Sequence, residues 1–209
     1  MGAKTWMIVQ ADGPVRAIRP VLEAGEEPDP ATTAAFVTQC FPKADYRPSG
    51  SGPLYDTSPR QGRVVAGCWP GLRLIAHESF AIDHPSRTAP ALIAPRGTTV
   101  LHLMHSVVDW FAYAVWQDGQ LQRALSLNPD RGVIEDIGAR LPFEQPFWDG
   151  PRTEDEDYPL SFHPLDLGEA ALVALFGYQL EGELIPDLLD PAGLTLLHYQ
   201  RQRPWWKLW

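Results

Sequence analysis

The sequence is poor in cysteine, in positive charge and in long apolar runs, and each scarcity excludes a class of protein. Two cysteines, Cys40 and Cys68, are too few for a disulfide framework and lack metal-ligand spacing. The 17 lysines and arginines against 26 acids give a net charge of −9 without a basic stripe for nucleic acid. No apolar run approaches the ~18–20 residues that span a bilayer. The opening MGAKTWMIVQ also lacks a signal-peptide pattern. We therefore expect a cytoplasmic protein with reduced thiols.

What the sequence does contain is typical of a globular domain with many shaped loops. Of its 209 residues, 44% are hydrophobic and 21% are charged, and there are 21 prolines, 17 glycines and eight tryptophans. No linker composition or internal repeat divides the chain. We expect residues 1–200 to form a single domain, followed by a Trp-rich tail over residues 201–209.

The stretch from Thr99 to Gly138 is predicted to form the middle of an antiparallel sheet. Trp110 to Trp116 is aromatic and β-branched, and it is apolar on both faces. Asp118-Gly119 lies between this run and a second, alternating run, which is the strongest short-range signal of a β-hairpin. Both faces of the sheet must therefore be covered by helices, loops or a second subunit.

The whole pattern predicts the α+β class, with a mostly antiparallel sheet of about six to eight strands and two main helices. Asp29 followed by Pro30 is an N-cap signal for a helix that ends at Phe41. Leu167 to Gly177 is the second helix. The Pro-, Gly- and Ser-rich segment 44–60 is predicted to be a long surface loop.

Several sequence blocks together resemble one protein family. They are MGAKTWM, AGCWPGL, MHSVVDWFAYAVW, LSLNPDRGVIEDIG and FHPLDLGEAALVALFGYQLEG, spread from Met1 to about Gly182. The family consists of uncharacterised, mainly actinobacterial proteins and is classified as a domain of unknown function. The resemblance implies a single soluble intracellular domain and brings no catalytic residue, activity or cofactor. The terminal PWWKLW departs from the family pattern.

The candidate catalytic residues are His105, Ser106, Asp109 and His163. A nucleophile, a base and an orienting acid are the groups that acyl transfer needs. However, the G-x-S-x-G elbow is absent. Residues His102 and His105 point to opposite faces if they lie on a strand, because side chains alternate. A structural histidine–aspartate network and a polar ligand pocket are therefore alternatives to catalysis.

Histidine and carboxylate side chains also raise the possibility of a metal site. His102, His105, Asp109 and His163, with Glu135 or Asp136, are the ligand types of zinc or non-haem iron. No H-x-x-x-H on a helix and no cysteine pair supports such a site. We predict neither a metal nor a cofactor.

Aromatic and acidic residues around the sheet edges are the candidate ligand-binding groups. Trp110 and Trp148 are the aromatic candidates, and Glu135 and Asp136 are the acidic ones. The alternative is that the tryptophans belong to the core and that the two acids lie on a surface turn. Because Glu135 and Asp136 are neighbours on a predicted strand, they should face opposite ways.

These observations leave two hypotheses of function. The favoured one is a non-enzymatic module that binds a partner protein or a small ligand, with a homo-oligomer as one form of partnership. The alternative is a hydrolase-like or metal-assisted enzyme that uses His105, Asp109 and His163. The tail Trp205–Trp209 either docks on the domain, protrudes as an apolar patch or contacts a membrane surface.

Overall fold

The computed structural model, which describes residues 2–150, 158–182 and 185–202, contains one antiparallel sheet of nine strands. The prediction of six to eight strands was therefore too low. The strand order is β2-β9-β3-β4-β1-β5-β6-β7-β8. The strands are β1 Lys4–Ala11, β2 Tyr46–Pro53, β3 Arg63–Trp69, β4 Leu72–Ala76, β5 Thr98–His105, β6 Trp110–Gln117, β7 Gln120–Asn128, β8 Gly132–Gly138 and β9 Thr195–Arg201.

The strand that the sequence did not reveal is β2, which lies in the segment predicted to be a loop. It forms one edge of the sheet and pairs only with β9, with an irregularity between Pro48 and Gly50. Its side chains are mostly exposed, so no alternation of apolar and polar residues marks it. Proline and glycine are tolerated because an edge strand has one unpaired side.

Over the residues that the structure describes, four α-helices cover the two faces, and two of them are long. They are α1 Ile18–Glu23, α2 Pro30–Cys40, α3 Gln145–Asp149 and α4 Pro164–Phe176. The predicted cap of α2 is confirmed, since Asp29 Oδ1 accepts a hydrogen bond of 2.7 Å from the Thr32 amide. Gly177, with φ of 82°, ends α4 in the left-handed conformation that favours glycine. In the described part of the chain no helix is long and apolar enough to cross a membrane.

Each face of the sheet carries its own hydrophobic core. The α4 face, which also carries α1, buries Met7, Phe111, Tyr113, Leu172 and Phe176. The opposite face, the α2 face, buries Ile8, Phe36, Val37, Leu101 and Trp110. Both sides of β6 are apolar because both faces of the sheet are covered by other parts of the chain, as the sequence predicted.

The β6–β7 hairpin forms at the predicted turn. Asp118 and Gly119 have φ angles of 50° and 76°, the positive values that a type I′ turn requires. Both strands lie inside the sheet rather than at its edge.

A short strand creates an opening in the sheet. Strand β4 ends at Ala76, which is opposite Met7 of β1 and Val65 of β3. Its two neighbours continue beyond it, to Lys4 and Arg63. The carbonyl of Thr57 accepts a hydrogen bond of 2.7 Å from the Trp6 amide there, so the segment after β2 enters the gap.

Candidate functional site

A cleft of about 410 Å³ lies at this opening, where β1 and β3 run past the end of β4. Its wall is contributed by four stretches that are distant in sequence: the N-terminus with the start of β1, the segment after β2 with the start of β3, the segment after α4, and β9. Among the lining residues are Gly2, Lys4, Tyr55, Asp56, Ser58, Arg60, Arg63, Leu180, Glu181 and His198. The cleft contains basic, acidic and imidazole groups, although the chain as a whole is acidic.

Three cationic residues line the cleft, of which Lys4 lies two positions from Trp6 on β1 and therefore directs its side chain to the α2 face. The side chains of Lys4 and Arg60 form no hydrogen bond or ion pair with any residue that the structure describes. Arg63 donates a single hydrogen bond of 3.2 Å from Nε to Gln200 Oε1, which leaves its two terminal nitrogens available. Uncompensated cations in one cleft attract an anion, and guanidinium groups favour carboxylate or phosphate.

A histidine–aspartate pair forms one end of the cleft. His198 Nε2 lies 3.2 Å from Asp56 Oδ2, but the two atoms do not have the geometry of a hydrogen bond. The pair lies over Gly52, because a Cβ atom there would approach His198 Cε1 to 2.7 Å and Asp56 Oδ2 more closely still. A glycine at this position of β2 is therefore a requirement of the site's geometry.

The wall next to β1 is held by a carboxylate from α4. Glu169 accepts hydrogen bonds from the backbone amides of Leu180, at 2.8 Å, and Glu181, at 3.2 Å. Burial raises the pKa of the Glu169 carboxyl to about 7, although these two amides oppose the shift. The acids Glu181 and Asp166 raise the pKa further.

Ser106 lies beside the N-terminal end of the cleft. A Cβ atom on Gly2 would contact Ser106 Cβ at 2.8 Å and lie 4.0 Å from Glu181 Oε1. The Ser106 amide also donates a hydrogen bond of 3.1 Å to the Ala3 carbonyl. Of the four catalytic candidates from the sequence, Ser106 is the one whose side chain packs against a residue of this cleft.

Comparison with known families decides where the chain belongs. The model of the "Family of unknown function (DUF6928)" matches residues 5–199, which is nearly the whole sequence. The chain belongs to this family. No curated protein and no solved structure matches it. The family resemblance seen in the sequence blocks is confirmed, and it assigns no chemistry to the cleft.

The remaining catalytic candidates of this DUF6928 member do not meet in one pocket. Asp109 Oδ2 lies 3.6 Å from His163 Nε2 at the beginning of α4, with both side chains about 40% exposed. His105 instead stacks obliquely on Trp6, with ring centroids 5.3 Å apart, and accepts a hydrogen bond from the Val107 amide. Trp6 packs on the α2 face, whereas α4 covers the other face.

The four ligand-binding candidates are separated by the sheet. On the α2 face, Trp110 Nε1 donates to Ser126 Oγ, and Glu135 accepts two hydrogen bonds from Ser86. On the α4 face, Asp136 pairs with Arg123, and Trp148 Nε1 donates to Glu144 Oε2 at 3.3 Å. Glu135 and Asp136 thus face opposite ways, as the strand alternation predicts. In this structure the four side chains line no common site.

His102 has a structural position in the core. It is fully buried, and its Nε2–H donates to the Gly168 carbonyl at 3.1 Å while Nδ1 lies 2.6 Å from Thr5 Oγ1. Burial lowers its pKa to about 4, so the ring is neutral. Among the residues that the structure describes, no three His, Cys, Asp or Glu side chains are grouped to hold a metal ion.

The residues of the cleft were missed because no local pattern joins them. Lys4, Asp56, Arg60 and His198 come from separate segments and meet only when β9 inserts between β2 and β3. The close approach that Gly52 permits could be recognised only once the structure placed this residue in strand β2. The tail Trp205–Trp209 lies outside the described residues.

Proposed function

We propose that this protein binds a small anionic molecule in the cleft. The observation that carries the proposal is the placement of Arg60 and Arg63 in one concave site of a chain whose net charge is −9. Guanidinium groups without an ion-pair partner in a concave site can hold an acidic ligand. The volume of about 410 Å³ lies within the usual range for small-molecule sites.

The surroundings of the cations support ligand binding rather than surface solvation alone. Lys4 begins β1, the central strand of the sheet, and pairs with His105 of β5, while Arg63 begins β3 and pairs with Gln200 of β9. Each backbone is therefore fixed by strand pairing on one side. Sites built on strands hold their groups more precisely than sites on loops. Arg60, which precedes β3 by three residues, is anchored by a backbone hydrogen bond of 3.0 Å from the Arg63 amide.

The test is calorimetric titration of the whole chain with inorganic phosphate and with citrate. We expect saturable binding of at least one of them, and at least a tenfold loss of affinity in the Arg60→Gln, Arg63→Gln double variant. The control is Arg131→Gln, which removes an exposed arginine that is paired with Asp83 next to edge strand β8. Absence of binding, or equal loss in the control, would contradict the proposal.

A second candidate function is hydrolysis, which the His198–Asp56 contact favours. An imidazole beside a carboxylate in a polar cleft is the arrangement of a general base and its orienting acid. The Asp109–His163 contact is a further, more exposed pair of this kind. Turnover of an aryl ester or aryl phosphate panel that is lost in His198→Asn would establish this candidate, and an inactive wild-type protein would remove it.

We further propose a cytoplasmic location and a single domain over residues 1–200. Cys40 and Cys68 are both free, and Cys68 is buried in the α2-face core. Burial raises the pKa of the Cys68 thiol to about 11 and that of Cys40 to about 12. Two unoxidised thiols support a reducing compartment.

A further inference from the structure

The cleft also contains an acid that its own cations do not neutralise. The Glu181 side chain lines the cleft with Lys4, Arg60 and Arg63, yet it forms no ion pair or hydrogen bond with any described residue. Asp56 differs, because His198 lies beside it. The free charges of the cleft are therefore of both signs.

The position of Glu181 is fixed rather than incidental. Glu169 of α4 holds the amides of Leu180 and Glu181, and Oε1 of Glu181 lies 4.0 Å from where a Gly2 Cβ would be. α4 is itself secured on the sheet by the close contact of Gly168 with Met104 and Phe111. The acid is thus placed beside the start of β1 by a helix that is packed in the core.

The arginines approach the cleft from the other side. Arg63 begins β3, and Arg60 precedes it, whereas Glu181 lies beside Gly2, which precedes β1. β4 lies between β3 and β1, so these two strands are about 10 Å apart at the usual spacing. The chain segments that carry Glu181's neighbour Gly2 and the two arginines are therefore separated by the width of one intervening strand, and we infer a similar separation of Glu181 from the arginines.

We propose that the ligand of this cleft is a zwitterion whose ammonium and carboxylate groups are separated by several bonds. This inference rests on the proposed function and adds the class of ligand. The carboxylate would lie between Arg60 and Arg63, and the ammonium would contact Glu181.

The arrangement also predicts which classes of ligand the cleft would exclude. A ligand with an anionic group at each end would bring one of them against Glu181, and like charges at close approach repel. A simple amine would meet the two arginines without an anionic group to pair with them. Glu181 is therefore the specificity-determining residue, and the arginines supply the anchor for the anion.

The test compares three linear molecules of equal chain length: ε-aminocaproate, caproate and n-hexylamine. We expect ε-aminocaproate to bind about tenfold more tightly than caproate, and n-hexylamine not to bind. In Glu181→Gln the preference for ε-aminocaproate over caproate should disappear while caproate affinity stays the same or improves. Glu26→Gln, which changes an exposed acid beside Trp69 at the other end of β3, is the control and should keep the preference.

The outcomes separate the two proposals. If caproate binds as tightly as ε-aminocaproate and the arginine variants lose both, the anion site stands and the zwitterion inference is wrong. If none of the three molecules binds and phosphate and citrate also fail, both proposals are overturned. A preference that persists in Glu181→Gln would assign the ammonium contact elsewhere and would also overturn the inference.

Discussion

Arg123 and Glu144 form a bidentate ion pair in which both side chains are fully buried. Arg123 Nε lies 2.9 Å from Glu144 Oε1, and Nη2 lies 2.7 Å from Oε2. Tyr113 Oη and the Leu141 amide also donate to Glu144. Burial raises the pKa of this carboxyl, but the hydrogen bonds to its charged form outweigh burial and hold the pKa below its ordinary value. The pair thus fastens the chain after β8 onto the sheet.

Breaking this pair should be the most damaging polar substitution in the described chain. Glu144→Gln leaves the buried guanidinium with the partly exposed Asp136 as its remaining partner charge, so we expect a loss of about 3 kcal/mol in the free energy of unfolding. The loss of unfolding free energy is measured by urea denaturation. The control is Asp83→Asn, which removes the exposed ion pair with Arg131 and should cost less than about 1 kcal/mol. Equal effects of the two substitutions would contradict the structural role given to Glu144.

Replacing Gly52 with alanine should disturb the His198–Asp56 pair in the cleft. The added Cβ in Gly52→Ala would overlap Asp56 Oδ2 and the His198 ring, so one of them must move. We expect a loss of about 1–3 kcal/mol in stability and weaker anion binding, measured by denaturation and calorimetry on the same sample. Gly193→Ala is the control, because its new Cβ would make only an ordinary contact of 3.5 Å. Unchanged binding in Gly52→Ala would show that the His198–Asp56 geometry is unimportant.

The elements that the sequence predicted well are those whose signals are local. The Asp29 cap and Pro30 mark α2 within two residues, and Asp118-Gly119 specifies the central hairpin by its turn conformation. Strand β2 was missed because its pairing is carried by the backbone at a sheet edge, and its exposed side chains follow no apolar period.

The site was not predictable in the same way. His198 and Asp56 are 142 residues apart (198 − 56), and they meet because β9 pairs with both β2 and β3. By contrast, candidates that were chosen because they are close in sequence do not meet. His105 and Asp109 are near neighbours in the chain, but their side chains contact different groups. Sequence spacing indicates shared chemistry only within one element.

The raised pKa of Glu169 predicts a specific dependence of stability on pH. Its pKa is about 7 in the folded protein and 4.5 in the reference state, so the folded protein binds the proton more tightly. The stabilisation is complete below about pH 4.5 and is lost as the pH rises through about 7. Solvent screening of this half-buried group reduces the effect to about 1–2 kcal/mol.

Glu169→Gln removes this dependence because the amide does not titrate. We expect the wild-type protein to lose about 1–2 kcal/mol relative to the variant between about pH 5.5 and about pH 8, measured by urea unfolding at each pH. Glu26→Gln should follow the wild-type profile. Parallel profiles of the wild-type protein and Glu169→Gln would show that the carboxyl titrates normally.

The most direct test of the anion-binding cleft is the NMR signal of His198 during titration with inorganic phosphate. His198 lines the cleft, whereas His84 lies beside Glu135 on the α2 face. We predict that the His198 Cε1–H resonance shifts and saturates with phosphate while that of His84 stays in place. A His198 signal that does not move, or one that moves no more than that of His84, would contradict the account.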